Sequence, residues 1–223
     1  MRSIALFATF AAGAAGLWAD TAQERLGDAT TVFSEIMQTP DKGIPQDLLG
    51  KAQCIVIVPG LKKGAFIIGG QYGRGFAECR RPNGTGWTAP AAIRIEGGSF
   101  GLQIGGSSSD LVMLVMNQSG LDRLMSDKFT IGAEASAAAG PVGRTAEAAT
   151  DVELHAEILT WSRARGAFAG ISLNGATMRP DDSVNRELYG KKVSNREILA
   201  SNMAPPEAAQ PLIKELDKYS PRK

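Results

Sequence analysis

Apolar positions along this chain change spacing several times, and each change predicts an element. Ala22, Leu26, Ala29, Phe33 and Ile36 recur at steps of four and three behind Thr21 and Glu24, which stand in capping-box spacing. This predicts an amphipathic helix that stops before Pro40, and Pro45 suits the first turn of a short second helix reaching Ala52. Residues 54–58 are wholly apolar and mostly β-branched, which predicts a strand buried on both faces. Pro59, Gly60, Lys62, Lys63 and Gly64 predict an exposed turn into a strand over residues 65–68. Tyr72, Arg74, Phe76 and Glu78 then alternate with Gly73, Gly75, Ala77 and Cys79, so one strand face is large and the other nearly bare, and something must pack closely on the bare side.

Asn83-Gly84 predicts a hairpin turn before Trp87. Ile93 and Ile95 alternate with Arg94 and Glu96, and Phe100, Leu102 and Ile104 with Gly101, Gln103 and Gly105. Ser107, Ser108, Ser109 and Asp110 predict a tight turn in which Asp110 accepts backbone N–H bonds, ahead of an apolar strand over residues 111–116. Ser119 is the expected cap of a short helix to about Met125, and Ile131, Ala133, Ala135 and Ala137 trace a slim strand. Val152, Leu154, Ala156 and Ile158 have period two but also fit a helix; a hairpin partner over residues 167–173 favours the strand. Helices are expected over residues 182–189, behind a second capping box at Ser194 and Glu197, and over residues 205–219. The sum is an α+β fold: a curled antiparallel β-sheet of about eight strands, barrel-like, with N- and C-terminal helices packed on it at its openings.

The first 19 residues stand outside this pattern. Arg2 is followed by an uncharged run rich in Ala, Phe and Leu that ends in small residues before Asp20, which reads as a secretory signal peptide cleaved after Ala19. Leu17 is larger than the small residue usual three positions before such a cut. A transmembrane helix is the alternative, in a run close to the ~20 residues needed to span and interrupted by Gly13 and Gly16. No cysteine closes the run, so a lipid anchor of bacterial lipoprotein type is not expected. The remaining residues 20–223 form one domain, expected to be periplasmic or secreted.

Export changes the meaning of the two cysteines. In an oxidising compartment Cys54 and Cys79 can form a disulfide; the alternative is two buried thiols acting as small hydrophobes. Two cysteines and a single histidine are too few for a zinc site, so no metal or cofactor is expected. Without Arg2 the chain carries 23 basic and 23 acidic residues, which points away from nucleic acid as a partner. The charges are uneven, however: residues 51–90 hold six bases and one acid.

Catalytic patterns fail on inspection. His155 falls on the polar phase of its segment beside Glu153 and Glu157 and reads as a solvated imidazole. The serines at 107–109 have no nucleophile elbow around them, and Gly70, Gly73 and Gly75 have the wrong order for a dinucleotide loop. No catalytic residue is assigned.

Several blocks occur in a telling order: Pro59-Gly60 and Gly64, Gly69-Gly70, Tyr72-Gly73-Arg74-Gly75, Gly86-Trp87, Gly97-Gly98, Gly140-Pro141, Trp161-Ser162-Arg163, and Asn185 to Tyr189-Gly190. Together they resemble a SYLF domain, the lipid-binding module of yeast and animal actin-patch regulators and of many secreted bacterial proteins, over about residues 23–200. The resemblance implies phosphoinositide binding through an N-terminal amphipathic helix in eukaryotic members. Here that helix carries Glu24, Asp28 and Glu35 against Arg25, a poor match for a phosphoinositide, so its stripe of Leu26, Phe33 and Ile36 is read as core, with insertion into lipid as the alternative. Actin binding is not carried over, since an exported chain would meet no actin.

The expected function is a non-enzymatic, exported protein that associates with anionic phospholipid or another component of the cell envelope. Lys62, Lys63, Arg74, Arg80 and Arg81 are the candidate patch for the membrane surface; solvated loop charges are the alternative. Two other classes compete: an envelope protein whose slim glycine and alanine faces receive a protein partner, and a carrier of a small hydrophobic ligand.

Overall fold

A nine-stranded sheet with an apolar core on each face organises the residues that the computed structural model describes, namely 20–39, 43–66, 68–82, 84–100, 105–141, 155–164, 167–170 and 173–220. The expected leader, Leu102, Ile104 and residues 151–154 lie outside them. Helix α1 (Ala22–Gln38) starts at the expected capping box, where Thr21 accepts from the Glu24 amide at 3.1 Å and Glu24 accepts from the Thr21 amide at 2.8 Å. A short α2 (Gln46–Lys51) follows.

β1 (Cys54–Phe66) does not end at Pro59. The expected turn is a bulge inside one long strand: Val58 pairs with Leu111 and Leu61 with Ser109, so Pro59 and Gly60 together face Asp110. Gly60 supplies the left-handed conformation (φ 60°) and donates its amide to Asp110 Oδ1 at 3.0 Å. A bulge tolerates proline because no ladder bond is required of it there, and the strand then resumes. Lys62 and Lys63 are consequently strand residues.

The remaining strands are β2 (Ile68–Cys79), β3 (Ala91–Phe100), β4 (Gly105–Val115), β5 (Phe129–Thr130), β6 (Ala137–Ala139), β7 (Ile158–Ala164), β8 (Ala167–Gly170) and β9 (Thr177–Pro180). Their order is β5-β9-β3-β2-β1-β4-β7-β6, with β8 also paired to β7. Ser107 to Asp110 run within β4 rather than in a turn. β7 begins at Ile158, and His155 is exposed at a helical position outside that strand.

The sheet is mixed, because β6 runs parallel to β7. The slim strand expected from Ile131 to Ala137 is broken at Gly132 (φ 84°), where a Cβ would stand 2.2 Å from Asn174 Oδ1. The resulting turn lets Ile131 bridge Ala135, and the chain then passes beside β7 in the same direction, with Ile158 donating to Ser136 O at 3.0 Å.

Asn117, not Ser119, caps α3 (Gln118–Leu124), accepting from the Gly120 amide at 3.0 Å; the Ser119 hydroxyl is spent on Glu157. The C-terminal part carries α4 (Asp182–Tyr189), α5 (Asn195–Leu199) behind the expected Ser194–Glu197 capping box, a 3-10 turn (Glu207–Ala209) and α6 (Gln210–Tyr219).

Strand alternation divides the core. One face presents Ile55, Ile57, Phe76, Val112, Leu114 and Trp161 to α1 and α6; the other joins Val56, Val58, Leu61, Ile93, Leu111 and Met113 to Leu124 of α3 and Ile198 of α5. The terminal helices therefore lie on a sheet face rather than across an opening. The bare face of β2 is filled by the chain's own β1: a Cβ at Gly75 would stand 2.0 Å from Ile57 O, and one at Gly73 2.7 Å from Val58 Cγ1. Cys54 opens β1 and Cys79 closes β2, the adjacent strand, where they are joined with Cα atoms 3.9 Å apart.

Candidate functional site

The five bases expected to form one patch are dispersed by strand geometry. Successive strand residues leave on opposite faces, so Lys62 is exposed on the α1 side of the sheet while Lys63, half-buried, leaves on the other. Arg80 lies six residues beyond Arg74, about 20 Å along the strand. It is buried, donating to Ser220 O at 2.8 Å and Leu49 O at 3.2 Å with its guanidinium 3.9 Å from the Trp87 ring centroid. Arg81 donates to Trp87 O at 2.7 Å. Both arginines at this end hold the C-terminal segment and the Trp87 loop in place.

Lys62 and Arg74 do come together. Lys62 pairs with Tyr72 across β1 and β2, and these residues line an open pocket of about 290 Å³ with Asp20 and Arg25, beside the start of α1. Tyr72, 44% exposed, is the large hydrophobic residue that the described surface shows. Sequence reading passed over Tyr72 as a face-filling strand residue and Arg25 as a helix charge; only the approach of α1 to the bulge brings them to Lys62.

Arg74 also begins a ladder. It stands opposite Arg94 on β3, which stands opposite Arg179 on β9. Like charges directly opposite on neighbouring strands repel, and two carboxylates offset this. Glu96 takes Arg94 at 3.0 Å and Arg179 at 2.6 Å, and Asp181, 1% exposed, takes Arg74 at 2.9 Å while capping α4. The ladder ends at a wider cleft of about 720 Å³ whose charges are mixed, Arg94, Arg179, Lys192 and Arg196 against Asp127, Asp182 and Glu197. The alternation of residues 93–96 was legible, but the register that aligns the three arginines was not.

α1 is tied to the sheet near its C-terminal end. Arg163 on β7 donates to Asp110 Oδ2 from Nε at 2.9 Å and Nη2 at 2.7 Å, and from Nη1 to Glu35 of α1. Leu26, Phe33 and Ile36 are buried (0%, 0% and 1% exposed), so the stripe that could enter lipid is core in this arrangement.

A family model described as "Ysc84: Las17-binding protein actin regulator" matches residues 96–219, more than half of the chain. The chain belongs to the Ysc84 family. Among its relatives, LAS seventeen-binding protein 3 of Saccharomyces cerevisiae is 33% identical over 180 residues, which cover 79% of this chain and 39% of that protein. SH3 domain-containing YSC84-like protein 1 of Homo sapiens is 32% identical over 191 residues, 84% of this chain and 55% of that protein. The Xenopus laevis protein of the same name is 33% identical over 197 residues, 87% and 58%. The chain thus spans roughly two fifths to three fifths of the length of these relatives. Within the family match fall the buried bond from Asn185 to Asn195, the Asp110–Arg163 tie and, of the ladder, Glu96, Arg179 and Asp181, whereas Lys62, Tyr72, Arg74 and Arg94 precede it.

Proposed function

We propose that this chain is a non-enzymatic, exported member of the Ysc84 family that binds the surface of an anionic phospholipid layer in the cell envelope. The observation that carries this reading is the pairing of the exposed Lys62 and Tyr72 with the half-buried Arg74 at an open pocket beside the start of α1, which Asp20 and the buried Arg25 also line. Attraction of that kind is peripheral. It accords with the absence, among the described residues, of any helix long and apolar enough to cross a membrane. The leader-like composition of residues 1–19 supports export, and the disulfide at Cys54 and Cys79 suits an oxidising compartment. The relative named for binding Las17 favours the second reading, a protein partner. The slim strand faces no longer support it, since β1 occupies the one on β2 and Trp161 lies 2.1 Å from where a Gly140 Cβ would stand. A carrier would hold cargo against the inner sheet face, which is packed with Val58, Leu61, Ile95 and Met113.

The test is flotation of the mature chain with neutral and with anionic vesicles at low and high salt. Binding should require anionic lipid and weaken with salt, and Lys62→Ala should lower it about fivefold, the worth of one base near a charged surface. Lys63→Ala, on the opposite face, should change it less. Arg74 is a poor probe because its removal strands the buried Asp181. Binding that ignores both lipid charge and salt, or no vesicle binding with retention of a crosslinked protein, rejects the lipid reading.

A further inference from the structure

Glu78 is the penultimate residue of β2, 1% exposed, and no donor among the described residues reaches either of its carboxylate oxygens. Its neighbours are committed elsewhere. Arg80, two positions along the same face, donates to Ser220 O and Leu49 O, and the Tyr189 hydroxyl at the end of α4 donates to Pro90 O at 2.6 Å. The charged and titratable groups facing this patch are Arg80 and Arg81 just beyond β2, Tyr189 from α4 and Asp217 from α6. Burial, then repulsion by Asp217, holds the Glu78 carboxyl well above the usual carboxylate range.

We propose that Glu78 is a proton-operated latch on the C-terminal helix: protonated, it leaves α6 seated over α1, and ionised, it loosens residues 210–220. The route is short. An ionised Glu78 repels Asp217, which precedes the Ser220 carbonyl that Arg80 holds two positions along the same strand face, so the effect falls on the last turn of α6. Opening returns Glu78 to water. It also uncovers Phe33 of α1, which α6 meets through Tyr219 with ring centroids 6.0 Å apart. The open form, with an ordinary carboxyl, binds fewer protons than the closed form above the normal carboxylate range, so closure weakens as pH rises. This inference stands apart from the lipid reading.

The test is amide hydrogen exchange of residues 210–220 in the full mature chain at pH 5.5 and 8.5, corrected for intrinsic exchange. The wild type should lose about tenfold in protection at the higher pH, while Glu78→Gln, which keeps the shape without the charge, should lose none. Asp217→Asn supplies a second arm. With Asn there, an ionised Glu78 no longer meets a carboxylate on α6, and the variant should show a smaller fall than the wild type. A pH-independent wild type, an equal fall in Glu78→Gln, or an unchanged fall in Asp217→Asn overturns the latch.

Discussion

Gly75→Ala tests the reading of the two-sided β2 strand most directly. The added Cβ would lie 2.0 Å from Ile57 O and 2.8 Å from both Ile57 C and Val58 Cα, all of them backbone atoms of β1. Contacts this short need the strands to part by more than an ångström. Neither strand is free to do so, because β1 is bonded to β4 on its other side and β2 to β3. A side chain in the way can rotate; a carbonyl inside two ladders cannot. Overpacking of a well-ordered core costs typically 1–3 kcal/mol and more where backbone must move, so about 3 kcal/mol is expected. For a domain of this size that is a fall in Tm of about 6–12 °C. Gly64→Ala is the matched control, since a Cβ there meets nothing within 4 Å. Thermal unfolding followed by circular dichroism compares the two. A Gly75→Ala protein that melts within about 2 °C of the wild type would refute the account of β1 folded onto the glycine face.

Three further outcomes are expected. Arg163→Ala should cost about 2 kcal/mol, the worth of charge-assisted bonds, and raise hydrogen exchange in the second half of α1; combined with Asp110→Asn the loss should be less than additive in urea unfolding. Asn185→Ala should cost about 2–3 kcal/mol, because Asn185 accepts from the Ala92 amide at 2.8 Å and donates to Asn195 at 2.6 Å in a fully buried network, and urea midpoints of Asn185→Ala and Asn185→Asp measure it. Protein from its native compartment, denatured without reductant, should show no free thiol and begin near Asp20, and Cys54→Ser with Cys79→Ser should cost about 3 kcal/mol for a loop of this length; two titratable thiols or an intact Met1 would contradict export into an oxidising compartment.

Much of the architecture was readable before any coordinates. The capping boxes at Thr21 and Ser194, the fully apolar strands at residues 54–58 and 111–115, and the bare face of β2 all express local rules: side-chain competition for backbone amides, and a period of two on a pleated surface. What those rules could not supply is register. Pro59 and Gly60 are as good a turn as a bulge when only their neighbours in sequence are known, and it is pairing with Asp110, fifty residues away, that makes them a bulge and turns Lys62 and Lys63 to opposite faces. The expected basic patch failed for the same reason, since proximity in sequence along a strand is distance in space, while Arg74, Arg94 and Arg179, far apart in the chain, stand side by side. Burial was equally undecidable locally. Glu78 alternates like any solvent-facing strand residue, and only the folded surroundings, with Tyr189 and Asp217 brought close, bury its carboxylate away from any donor among the described residues. Alternation and capping are short-range and survive in the sequence; register, like burial, is a property of which distant segments win the competition to pair.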